Sequence, residues 1–464
     1  MPDENLATRL ADRLAGRGRE PVALRARYVF PVAGEPIPDG AVTIQGGRIT
    51  EVGDRAPADV EDLGNAAILP GLVNAHTHLE FSDLPKPLSH NSPLPFVGEG
   101  SGVRGGGSDT ASKPLGGPGA GFVDWIRRVV EYRRQATRRL DEAVELGLEE
   151  SARCGTTSLG EIAQPGWPVG LFDRRGLDAT VFLELIGPTA NRVPAVLEAA
   201  RRHVEAADAS PGWRPGLSPH APYSVHPELL AAVVALSAAE KIPLAMHLAE
   251  SREELEWLRS GGGPFGDFLS RLEGWDPSDF PPGRRPLDYL RTLAEAHRTL
   301  VIHGNYLDDE EIAFLAAHAD RMALVYCPRT HAHFGHAAYP LPKLLAAGVT
   351  VALGTDSRAS SPDLSVLAEM RLVARIYPMV PRRLVLQLGT LRAAQALGRE
   401  QKIGSLEPAK QANLTIVALP DRETGDPHEL LLDSGEPVVA RVYATDEIRN
   451  PNSDPEPRTL NPEP

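Results

Sequence analysis

Residues 66–81 read AAILPGLVNAHTHLEF, an apolar run that ends in two histidines set two apart, His76 and His78. Apolar runs of this length, with few polar interruptions, are the form of strands buried on both faces in a parallel sheet. Working outward, the form recurs seven times: GTTSLGEI (155–162), ATVFLELIG (179–187), PGLSPHA (215–221), PLAMHLAE (243–250), TLVIHGNYL (299–307), ALVYCP (323–328) and VTVALGTDS (349–357). Helical stretches separate most of them, at 122–155, 192–207, 226–241, 251–261, 308–318 and 341–348. Eight strands alternating with helices predict an α/β fold, a (β/α)8 TIM barrel over 66–402.

The flanks read differently. Residues 21–65 and 403–446 carry short β-branched runs broken by Gly, Pro and Asp-Gly, which predicts a small β-sandwich domain assembled from both sides of the barrel. Leu6, Leu10 and Leu14 recur at helical spacing, so a short helix is expected over 4–17 within an N-terminal extension, 1–20. The insertion at 89–120 is rich in Gly, Ser and Pro and too polar to bury a core, so it reads as disordered. The connection at 261–286 carries aromatics after a strand end and is expected to lie over the pocket. The Pro-rich tail, 447–464, is expected to fray.

Composition excludes several classes. The 464 residues hold 42% hydrophobic and 24% charged residues, with a net charge of −14. An acidic surface repels phosphate backbones, so nucleic acid is not an expected partner. Two cysteines, Cys154 and Cys327, are too few for a disulfide framework. No apolar run approaches the ~20 residues of a membrane span, and the first twenty residues lack the pattern of a signal peptide. A cytoplasmic protein without membrane contact is the expectation, with a homodimer as the commonest assembly.

Chemistry gathers at the strand ends, where a barrel keeps its active site. Residues two apart in a strand share a face, so His76 and His78 can reach one metal. His247 in AMHLAES ends another strand and supplies a third nitrogen, leaving open positions for water. Glu250 follows at the strand-to-helix turn, placed to carry a proton or to favour the helix dipole. His303 in VIHGNYL is a fourth ligand or a hydrogen-bond partner of the reacting groups. Asp356 in VALGTDSRAS can bind metal and accept a proton, or cap the following segment.

In these stretches, PGLVNAHTHLEFS, HLAES, IHGNYL, CPRTH and VALGTDSRAS, the chain resembles the amidohydrolase superfamily over roughly residues 21–446. It is most similar to the mononuclear branch that includes S-adenosylhomocysteine, guanine and aminofutalosine deaminases and the triazine chlorohydrolases. The resemblance implies one divalent metal, zinc or else iron(II), held by His76, His78, His247 and Asp356. It implies Glu250 as proton shuttle, Asp356 as acceptor of the water's proton, and His303 as the group polarising the hydroxide or the departing amine. Dinuclear relatives bridge two metals with a modified lysine, and no lysine occurs between Lys113 and Lys241. Glu184 could bridge as a carboxylate, and a structural or substrate-orienting role suits it better.

The implied reaction is hydrolytic deamination of an amino-substituted purine. NAHTHLEFSDL and CPRTHAHFGH look closer to aminofutalosine-type deaminases than to guanine deaminases, which implies an adenine nucleoside as the small-molecule substrate. His220 and Tyr223 in LSPHAPYSV, Glu80 and Trp125 are the candidate substrate contacts, with Arg128 beside them. Glu80 could equally brace His78, and Tyr223 could belong to a structural turn. His331, His333 and His336 in RTHAHFGH form a second metal site or a substrate-facing loop. Hydrolytic dechlorination or cyclic-amide hydrolysis would use the same residues, and a silent scaffold would have lost them.

Overall fold

A computed structural model describes residues 20–55, 57, 59–88, 121–135, 140–174, 177–207, 212–442 and 448–449. The expected helix over 4–17 and the insertion at 89–120 lie outside the described residues. The barrel strands are β1 (Leu72–His78), β2 (Thr156–Ala163), β3 (Asp178–Leu185), β4 (Trp213–Pro219), β5 (Pro243–Leu248), β6 (Arg298–His303), β7 (Met322–Tyr326) and β8 (Thr350–Leu353, continued by Asp356–Ser357). All neighbours pair in parallel. Thr350–Leu353 pairs with β7, whereas Asp356–Ser357 pairs with β1. The two ends of the sheet are therefore one strand, and the sheet closes into a TIM barrel.

Closure runs through Gly354 and Thr355. The Gly354 N–H donates to Tyr326 O on one side, and the Thr355 N–H to His76 O on the other. A Cβ at Gly354 would lie 2.8 Å from both the Cβ and the carbonyl oxygen of His76, so only glycine lets β1 come this near. Buried Asn74 sews the seam. Its amide donates to Thr355 Oγ1 (2.8 Å) while its carbonyl oxygen accepts from the Thr355 N–H (3.1 Å).

One apolar cluster draws Val73, Ile162, Phe182, Ala245, Ile302, Val325 and Ala352 together. Residues from seven strands meet this way only inside the barrel, which is filled rather than hollow. Helices pack outside, among them Val193–Ala207, Pro227–Glu240, Arg252–Ser260, Asp309–Ala317 and Val366–Ile376. Their ends follow local chemistry: Ser251 accepts from the Glu254 N–H and Gly261 ends that helix in a left-handed turn. The helical stretch 122–155 contains two assigned helices, Phe122–Gln135 and Leu140–Arg153.

A separate sheet-rich domain comes from the flanks, with its own core of Leu24, Val42, Ile68, Leu414, Ile416 and others. The run read as one strand over 66–78 is divided at Gly71. Ala66–Pro70 pairs antiparallel with Leu414–Ala418 in that domain, and only Leu72–His78 belongs to the barrel. Of the tail, Ile448–Arg449 add a short strand beside Val438–Val442; the rest of it lies outside the described residues apart from these two. Among the described residues no helix is long and apolar enough to cross a membrane.

Candidate active site

The strand ends converge. Ring centroids of His76 lie 4.9 Å from His78, 5.0 Å from His247 and 5.8 Å from His303. His78 Nε2 and His247 Nε2 are 3.4 Å apart. Asp356 Oδ1 lies 3.7 Å from His76 Nε2 and 3.9 Å from His78 Nε2. His303 Nε2 and Glu250 Oε1 are 3.3 Å apart. Six residues from four separate stretches of sequence thus meet at one end of the barrel, all buried.

Backbone geometry aims them. Ala249, His303 and Asp356 adopt φ of 53°, 68° and 57°, left-handed values that side-chain-bearing residues seldom hold without support. That support is visible at β5. Glu254, fully buried, accepts the N–H groups of Ala249 (2.8 Å) and Glu250 (2.9 Å), and Asn305 donates to Glu250 O (2.9 Å). At β6, Tyr339 donates its hydroxyl to His303 O. After β1, both oxygens of buried Glu161 accept the Leu79 N–H.

Electrostatics favour metal binding. Burial, then the neighbouring His76, pushes His78 down to about 3, and burial lowers His247 well below its ordinary value. Burial likewise takes His303 down to about 3. Neutral imidazoles keep a lone pair for a cation. His247 Nδ1 lies 3.0 Å from the carbonyl of His220; a carbonyl only accepts, so Nδ1 carries the proton and Nε2 faces the group. Burial works against ionisation of Asp356, yet the imidazoles gathered around it, His76 first and then His303 and His78, hold it below the usual carboxylate range. Glu250 goes the other way: burial, Asp356 and Glu254 raise it well above that range.

Two nitrogens of His76 and Nδ1 of His78 are buried without a hydrogen-bond partner, which is expensive unless something else takes them. Among the described residues, the donor groups close enough to share an ion are His76–His78–His247 and His76–His303–Asp356. Orphaned nitrogens beside an ionised carboxylate fit a divalent cation. Residues 67–451 match the amidohydrolase family profile. The chain belongs to that family.

This amidohydrolase is 30% identical over 385 residues to aminodeoxyfutalosine deaminase of Deinococcus radiodurans, covering 79% of this chain and 83% of that one. It is 29% identical over 409 residues to 5-methylthioadenosine/S-adenosylhomocysteine deaminase of Nitratidesulfovibrio vulgaris, covering 82% and 80%. Its fold is similar to a zinc-bound adenosine deaminase from Xanthomonas campestris, with a TM-score of 0.73 at 24% identity over 92% of each chain.

Around the histidine–aspartate group of the amidohydrolase, the expected substrate contacts separate. His220 reaches the site, its ring 4.9 Å from that of His247 and its Nε2 3.9 Å from Glu184 Oε1. Tyr223 stacks on Phe265 from the 261–286 connection at 4.0 Å. Trp275 and Phe280 of that connection stack on each other instead. Trp125 stacks on Phe122 and points its indole N–H at Ala359 O, and Arg128 on the same helix is half-buried. His331 and His336 lie side by side at 5.3 Å, with His336 Nδ1 on the Tyr306 hydroxyl and His333 on Leu88 O. They form no metal-sized group among the described residues.

Glu80 holds an unexpected partner. Arg133, from the helix Phe122–Gln135, places Nη2 2.5 Å from Glu80 Oε1 and 3.0 Å from Glu184 Oε2. One guanidinium serves two buried carboxylates. Arg133, His220 and His78 overcome burial and hold Glu184 below the usual range, while burial and the adjacent Glu184 leave Glu80 above it. A cavity of about 470 Å³ opens beside Arg133 and Glu184 and is lined also by Gln164, Asn191 and Arg192. Neither Arg133 nor Glu254 is predicted from the sequence as a site residue; the doubled arginines and glutamates of their helices read as solvated charge.

Proposed function

We propose that this amidohydrolase is a hydrolytic deaminase of an adenine nucleoside of the aminofutalosine or S-adenosylhomocysteine type, releasing ammonia. The observation that carries the reading is the pairing of Glu250 with His303 at 3.3 Å beside the His76, His78, His247 and Asp356 group. The relatives named above support the substrate class. His76, His78, His247 and Asp356 would hold one divalent ion, zinc by its suitability to imidazole and carboxylate, with iron(II) as the alternative. Such an ion, when bound, supplies a Lewis acid that lowers the pKa of a water to about 7.

The residues then divide the proton work. Asp356, ionised, accepts a proton of the water that adds to the amino-bearing ring carbon. Glu250 donates its proton to the adjacent ring nitrogen; of the two protons released from the water, the one on Asp356 and the one lost as the carbonyl forms, one restores Glu250 and the other reaches the departing amine through it. His303, neutral and beside Glu250, orients the oxygen that becomes the carbonyl. His220, with Glu184 behind it, faces the ligand ring. The net change is an exchange of the ring amine for a carbonyl, with water consumed and ammonia formed.

The test is ammonia release by zinc- or iron-loaded protein on aminofutalosine, S-adenosylhomocysteine, methylthioadenosine, adenosine and guanine. Fast release from one adenine nucleoside is expected. Release of chloride from a chlorotriazine, with no ammonia from any purine, would transfer the assignment to the chlorohydrolase reading.

A further inference from the structure

Asp356 does not stand alone. Ser360 Oγ lies 2.9 Å from Asp356 Oδ2, and Thr330 Oγ1 lies 2.9 Å from Ser360 Oγ. The other oxygen, Oδ1, accepts the Ser357 N–H at 2.8 Å and is the one that faces His76 and His78. Ser360 and Thr330 are both buried.

The direction of this chain follows from proton counting. A carboxylate only accepts, so Ser360 commits its one hydroxyl proton to Oδ2. Its competing acceptor, Ser357 O, is farther away at 3.5 Å. Ser360 oxygen is then left as an acceptor, and Thr330 donates to it. We propose that Ser360, held in this orientation by Thr330, is a positioning residue that fixes the Asp356 carboxylate so that Oδ1 faces the metal group. This rests on the reading of Asp356 as a ligand.

The scaffold holds the relay at length. Thr330 rides on the short helix Pro328–His333 after β7, whereas Ser360 lies in the turn after β8. Between them Arg329 donates through its backbone and Nε to Glu369 (3.0 and 2.5 Å) and through Nη1 to Asp363 (2.7 Å). That clamp ties the helix to the loop that carries Ser360. Asp356 itself sits at φ 57°, so its backbone has little freedom to compensate for a lost side-chain partner.

The experiment is a double-mutant cycle read by zinc affinity, from competition with a chelator, on the full chain. Ser360→Ala should weaken binding by about 10–100-fold, the usual effect of removing a partner of a metal ligand. Thr330→Val, which swaps the hydroxyl for a methyl, should weaken it less, and Thr330→Ser should stay close to the parent. Because Thr330 acts through Ser360, the double variant should match Ser360→Ala alone. In turnover, the loss should fall on kcat rather than KM. Additive losses, an unchanged affinity in Ser360→Ala, or equal weakening by Thr330→Val and Thr330→Ser would each overturn the proposal. Should Ser360→Ala fail to fold, the Thr330 pair decides by itself. The zinc readout needs no substrate, so inactivity on every nucleoside would sink the deaminase reading and leave this result standing.

Discussion

Replacing Arg133 with methionine removes the single cation shared by Glu80 and Glu184 while keeping a stem of similar reach. Its side chain is 22% exposed, and those of the two carboxylates are 7% and 3% exposed. Breaking a buried ion pair from one side costs about 3–5 kcal/mol. The partial exposure of the arginine places the expected loss near the lower end, about 3 kcal/mol. The loss should depend on pH, and its sign follows from the protonation states. In the parent, Glu184 is held below its ordinary value, so its contribution is present above the unfolded pKa and lost only as pH falls through the folded one. Without the guanidinium both carboxyls are raised, and the variant loses stability as pH climbs past their ordinary range. The stability gap should therefore be wider at about pH 8 than at about pH 5. Denaturant unfolding of both proteins at those two values measures it. An equal gap at both values, or one below about 1 kcal/mol, would refute the claim that the two carboxylates depend on this arginine.

Other substitutions probe the reaction and the frame. Glu250→Gln should lower kcat by about 10²–10⁴-fold, the range for a lost general acid–base, with metal retained at the parent level by elemental analysis. His76→Ala should lose metal and activity together, and added zinc should restore neither at parent concentrations. Gly354→Ala forces a methyl to within 2.8 Å of His76 and should destabilise by about 1–3 kcal/mol with weakened zinc binding. Gly34→Ala, where a Cβ would meet nothing within 4 Å, should leave both unchanged.

The barrel was legible because its strands are buried on both faces and so read as unbroken apolar runs. Its reactive residues were legible because they punctuate those runs at one end: His76, His78, His247, His303 and Asp356 each close an apolar segment. What stayed hidden depends on contacts between distant segments. Arg133 lies among other arginines on a helix, and nothing local distinguishes it until Glu80 approaches from the turn after β1 and Glu184 from β3. Glu254 looks like ordinary first-turn charge, but it turns inward to hold the backbone of Ala249 and Glu250. The division at Gly71 was hidden for a similar reason. Ala66–Pro70 and Leu72–His78 form one run and are equally buried, and only their partners differ.

That division has a consequence for how the protein is made. The strand Ala66–Pro70 pairs with Leu414–Ala418, so its partner lies on the far side of the whole barrel sequence. At ribosomal rates the earlier strand waits some tens of seconds for the later one. Closing so long a loop carries an entropic penalty on the order of 5 kcal/mol, so the pairing should form late, on a barrel already built. Until then, five residues that end up fully buried are an open edge of the kind chaperones protect. A fragment that keeps Ala66–Pro70 but ends before Leu414 would keep that edge for good, and an attempt to isolate the active site in that way should yield an aggregating protein.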